Sequence, residues 1–87
     1  MNDYIEQQLN QVLEVNKQRQ VSLKTISSTQ TKRVGQYLMQ VSDEEKQAMT
    51  QKTNRLYDSK IKAIYDNMNL ELEKAGHEKL INPFERG

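Results

Sequence analysis

The chain has 87 residues, with 13 Lys and Arg against 12 Asp and Glu, one His, no Cys and no Trp. A chain of this size fits one small domain and buries only about 60 to 65 per cent of the surface it exposes when unfolded, which excludes a two-domain enzyme. With 34% hydrophobic and 29% charged residues the core is thin, and neither a disulfide nor a Cys/His zinc site can reinforce it, so self-association or a partner protein is the expected supplement.

The opening residues Met1-Asn2-Asp3-Tyr4 lack the basic-then-apolar pattern of a secretory leader, and no apolar run approaches the roughly 20 residues of a membrane helix. Together with the absence of cysteine, this gives the expectation of a cytoplasmic chain with no membrane partner. Proline occurs once and glycine three times, while Gln, Asn, Lys and Glu abound. That composition favours helix, and no segment shows a strand-like alternation, so the expected fold is all-α.

The first periodic stretch is Ile5, Leu9, Val12, Asn16, Arg19, Leu23, Ile26, with spacings of four and three in alternation. This is coiled-coil spacing and predicts a helix over roughly 3–27. Asn16 and Arg19 interrupt the stripe at its middle. Either Asn16 is buried and fixes the register, with the Arg19 stem on the seam and its head in water, or, more simply, the helix is less buried at its centre.

Ser27-Ser28-Thr29-Gln30-Thr31 then breaks the pattern, because short hydroxyl side chains compete for backbone hydrogen bonds. Val34, Tyr37, Leu38 and Val41 follow at i, i+3, i+4 and i+7, which predicts a short second helix over 30–40, weakened by Gly35 inside it.

Ser42-Asp43-Glu44-Glu45 is the clearest helix start: a capping box, with three acids at the positive end of the helix. A long third helix over 43–75 follows, about 50 Å in length, with Gly76 placed for a left-handed cap. It carries two apolar stripes about 100° apart. Tyr57, Ile61, Ile64, Met68, Leu72 and Ala75 form one; Met49, Leu56, Ala63 and Leu70 form the other. The first pairs antiparallel with Ile5, Leu9, Val12, Leu23 and Ile26, and the second awaits another neighbour. The expected architecture is a small helical hairpin or three-helix arrangement with coiled-coil-like packing, a single domain over 1–75 and a tail over 76–87.

In that tail Pro83 blocks helix continuation, so Phe84 is presented by an extended segment that either folds back or docks on a partner. Asn82-Pro83-Phe84 is similar to the tripeptide bound by EH domains, and nothing else in the sequence points the same way.

Chemistry is sparsely represented. There is no Cys, the serines lie outside any Gly-x-Ser-x-Gly setting, and no Gly-rich phosphate loop exists. His77 follows the long helix, where the dipole favours it without any metal. The alternation Asp58, Lys62, Asp66 reads as a solvated face. The expectation is therefore a protein without enzymatic activity, cofactor, metal or small-molecule substrate.

Charge is uneven: residues 1–41 hold five bases and three acids, residues 42–87 eight and nine, and no acid lies between Val15 and Ser42. Lys17, Arg19, Lys24, Lys32 and Arg33 are thus candidate phosphate contacts.

Three function classes follow. The favoured one is a protein-protein interaction module, a small regulatory, adaptor or inhibitor subunit that forms a homo-oligomer or docks on a larger protein through Met49, Leu56, Ala63 and Leu70, with Tyr65 and Phe84 as further contacts. The alternatives are a small helical nucleic-acid-binding protein using the basic 17–33 segment, and a structural or scaffold subunit.

Overall fold

The computed structural model describes residues 2–85. Helix α1 (Asn2–Ser28) and helix α2 (Asp43–Lys74) are joined by two short strands, β1 (Thr31–Val34) and β2 (Tyr37–Gln40). The fold is mostly helical, but it is neither all-α nor a three-helix arrangement. Where a second helix was expected over 30–40, the chain forms an antiparallel β-hairpin in the register Thr31↔Gln40, Lys32↔Met39, Arg33↔Leu38, Val34↔Tyr37.

The reason lies at Gly35. It takes φ +62°, a value open to glycine because it has no Cβ, while Gln36 stays at negative φ. Positive φ at the first of two loop residues is the pattern of a type II′ turn, whose twist matches that of the flanking strands. Thr31, Val34, Tyr37 and Val41 favour pleated backbone, and Val41 N–H donates to the Gln30 carbonyl at 2.9 Å, extending the ladder past the strands. The spacing of Val34, Tyr37 and Val41 fits one helix face, yet across a two-residue turn the same residues share one face of a hairpin.

Helix α1 ends where its hydroxyl side chains intercept the last carbonyls. Thr25 Oγ1 donates to the Val21 carbonyl at 3.0 Å, Thr29 Oγ1 to Thr25 at 2.7 Å and Ser28 Oγ to Thr25 at 3.1 Å. Helix α2 begins and ends as expected. Ser42 caps it with extended backbone, its hydroxyl accepting the Glu45 N–H at 3.1 Å. At the other end Gly76 adopts φ +77°, while His77 N–H reaches the Leu72 carbonyl and Gly76 N–H that of Glu73. This is the paired closure of a Schellman motif. Replacing Ser42 with alanine is expected to cost about 1 kcal/mol, measurable as a lower denaturation midpoint. An unchanged midpoint would show that Asp43 and Glu44 suffice at this helix end.

The two helices run antiparallel in a body 59 Å long and 24 by 19 Å across. Val12, Ile61, Ile64, Tyr65 and Met68 form the core, with Tyr4, Ile5, Val15 and Phe84 packed against it, and Ile61 and Met68 wholly enclosed. On α1 the fully buried positions are Val12, Arg19 and Ile26, one per heptad. Leu9 is exposed, and Leu23 and Asn16 lie half-buried beside the seam.

The centre of α1 departs from expectation. Arg19 is only 5% exposed. Its Nη1 pairs with Asp58 Oδ1 at 2.5 Å, and its Nε and Nη2 donate to Asn16 Oδ1 at 3.2 and 2.7 Å. Its guanidinium lies 5.3 Å from the centroid of the Phe84 ring. A fork of donors can satisfy two acceptors and still offer its flat face to an aromatic ring. Asp58 is therefore half-buried against α1, whereas Lys62 and Asp66 form the exposed pair that the helical spacing suggested.

Beyond α2 the chain turns back along the helices. Leu80 is clasped by the Asn69 amide, which accepts its N–H at 2.7 Å and donates to its carbonyl at 3.0 Å. Asn82 Oδ1 then accepts the Phe84 N–H at 2.9 Å, a local turn that delivers the ring to the core. The tail therefore folds back, and Phe84 is held against Arg19 rather than presented outward.

Candidate interaction surface

Every residue of β1 and β2 is exposed. By strand alternation, Lys32, Val34, Tyr37 and Met39 share one face and Thr31, Arg33, Leu38 and Gln40 the other. Val34, Tyr37 and Met39 thus form an apolar patch with water on its outer side, and Leu38, 77% exposed, stands on the reverse face. The hairpin is tied to α2 by Lys32 Nζ on Glu45 Oε2 at 2.6 Å. That ammonium, with the Ser42 cap, holds the Glu45 carboxyl below the usual carboxylate range. Near the base of the hairpin, Lys46 Nζ donates to the Ser27 carbonyl at 3.3 Å.

The expected helix stripe is also open to water. Met49, Leu56, Ala63 and Leu70 all lie exposed on α2, well round the helix from the buried Ile61. They supply one apolar side chain per heptad with Lys52, Lys60 and Lys74 interspersed on the same side, so the stripe is a row of single residues more than a continuous patch. Met49 is the member nearest the hairpin.

Tyr65 does not belong to this surface. It is 7% exposed and part of the core, whereas Tyr57 is half-buried, sharing a 3.4 Å hydroxyl contact with Ser22 and receiving Lys60 Nζ over its ring at 5.0 Å. The two tyrosines lie one turn either side of Ile61, on opposite flanks of the buried face. Asp58 and Asn69 share the flank of Tyr65, and the returning tail covers that flank. The Tyr57 flank opens instead onto a hollow lined also by Val21 and Ser22, and a second hollow lined by the same two residues reaches Met49.

The candidate phosphate contacts differ in burial and partners. Arg19 is buried and engaged, Lys32 is paired with Glu45, and Arg33 Nε donates to the Gly35 carbonyl at 3.1 Å. Lys17 and Lys24 are exposed on α1. Of the five bases in the acid-free stretch, Arg19, Lys32 and Arg33 are thus engaged within the chain, and Lys17 and Lys24 stand exposed on α1.

The residues that sequence reasoning missed are Val34, Tyr37, Leu38 and Met39 as an exposed set. The available signal was Gly35-Gln36 as a two-residue loop between segments containing Thr31, Val34, Tyr37 and Val41. Among the described residues no group of three or more His, Cys, Asp or Glu is placed to hold a metal ion, and no helix is long and apolar enough to cross a membrane. No protein-family model, curated protein or solved structure matches this chain.

Proposed function

We propose that this chain is a non-enzymatic protein-protein interaction module, a small regulatory, adaptor or inhibitor subunit, whose contact surface is the hairpin together with the Met49 and Leu56 side of α2. The observation that carries this reading is the exposure of Val34, Tyr37, Leu38 and Met39 on a two-stranded sheet that neither helix covers. Large apolar side chains gathered on a protruding element mark contact sites in soluble proteins. A sheet of only two strands also gains stability from whatever packs on it. The burial of Arg19 weighs against phosphate binding by the 17–33 segment.

The test is light scattering coupled to size exclusion on the full chain, with and without duplex DNA at low salt, for the wild type and Leu56→Asp. A discrete dimer or tetramer indifferent to DNA, and of lower mass in the helical Leu56→Asp variant, is the expected result. A monomer that shifts only with DNA would replace this reading with nucleic-acid binding. Open-ended particles would replace it with a scaffold role.

A further inference from the structure

We infer that the outer edge of β2 pairs antiparallel with the same edge of a second copy of this chain, joining two hairpins into one four-stranded sheet. This deepens the interaction reading above and rests on it, naming the partner and the strand that meets it.

The backbone supplies the first argument. In an antiparallel ladder, hydrogen-bonded and non-bonded pairs alternate. The Val41–Gln30 bond fixes the phase, so Tyr37 and Met39 direct their N–H and C=O groups toward β1. Leu38 and Gln40 direct theirs outward, where no strand among the described residues meets them. If Met39 of one copy lies opposite Met39 of the other, Leu38 and Gln40 exchange bonds reciprocally across a two-fold axis perpendicular to the sheet. Opposed residues then share a face, and the apolar face carrying Tyr37 and Met39 is doubled in extent.

Charge selects the edge and the occupant. Natural edges are guarded by charged residues, proline or bulges, and β1 has such guards in Lys32 and Arg33, whereas β2 reads Tyr37-Leu38-Met39-Gln40 with neither charge nor proline. Pairing β1 with its own copy would set like charges against each other, which is destabilising. Pairing β2 with β2 places the two β1 strands outermost, three strand spacings or about 14 Å apart. That separation exceeds the screening length of about 8 Å at physiological salt. A second copy therefore meets an uncharged edge with its cations held at a distance.

The experiment compares the mass of the full chain by light scattering, at low and high protein concentration, with those of Leu38→Pro, Leu38→Lys and Arg33→Pro. Proline at Leu38 removes an outward donor and spares the β1–β2 ladder, and Arg33→Pro does the same on the opposite edge. Lysine at Leu38 guards the edge without altering the backbone. The expected result is a wild-type dimer, monomers for both Leu38 variants at unchanged helical circular dichroism, and a dimer for Arg33→Pro.

A dimer that survives both Leu38 substitutions overturns the edge pairing and leaves the interaction reading standing on the α2 stripe. A dimer lost equally in Arg33→Pro overturns it too, because hairpin integrity would then be the requirement. A wild-type monomer at every concentration removes the second copy altogether and leaves the edge to a foreign strand.

Discussion

Replacing Arg19 by alanine is expected to destabilise the fold by about 3 kcal/mol, near the lower end for breaking a buried ion pair. The guanidinium is 5% exposed and Asp58 26%, so the carboxylate that loses its counter-charge keeps some access to water and the cost stays below the full range. The same substitution strips Asn16 Oδ1 of two donors, takes the cation from the face of Phe84 and leaves a void beneath the tail. In a domain of this size each kcal/mol moves the melting temperature by about 4 to 8 °C, so a fall of about 12 to 24 °C is expected by circular dichroism. Replacing both partners, as Arg19→Met with Asp58→Leu, should recover most of the loss, since apolar groups of similar volume often substitute for a buried pair. A single variant within about 1 kcal/mol of wild type would show that the pair is not a stabilising element.

Ile61→Ala is expected to cost about 3 to 4 kcal/mol. Ile61 is fully enclosed at the centre of the core, between helices only two layers deep, so the removed methyl and methylene groups leave a cavity that few neighbours can close. Against a total stability of about 5 to 15 kcal/mol, this single truncation brings the chain close to unfolding at physiological temperature. Leu13→Ala, at an exposed position of α1 outside the proposed contact surface, should change stability by less than about 0.5 kcal/mol. Equal effects at the two positions, measured by denaturant midpoint, would mean that Leu13 is covered in solution.

Both helices were legible because their signals are redundant. Ser42 and Glu45 announce the start of α2, Gly76 its end, and the Ile61, Ile64, Met68, Leu72 stripe its buried face. Each of these is a local matter of capping geometry or helical period. The hairpin was misread because Val34, Tyr37, Leu38 and Val41 satisfy a helical period as well as a strand pairing across Gly35. Periodicity alone does not separate the two over so few residues. Arg19 illustrates a different limit. Its interruption of the stripe was visible, but the partner that makes its burial tolerable lies 39 residues away at Asp58, on a face whose alternating charges suggested solvent. Tyr65 was misplaced for a similar reason: the tail decides which flank of α2 is enclosed, and the wheel of an isolated helix does not contain the tail.

The antiparallel topology has a kinetic consequence. The hydrogen bonds that join its two halves span steadily longer intervals with distance from the turn, from 13 residues at Lys32–Glu45 and 19 at Ser27–Lys46 to 35 at Ser22–Tyr57 and 39 at Arg19–Asp58. Closing any one first would cost the chain entropy of its whole loop, but once the turn at Gly35 has formed, each successive contact adds only a short segment to what is already closed. The chain can therefore assemble as a zipper from the Gly35 turn outward, each rung nucleating the next. Few of its contacts require a long search, as in the low-contact-order proteins that fold fastest.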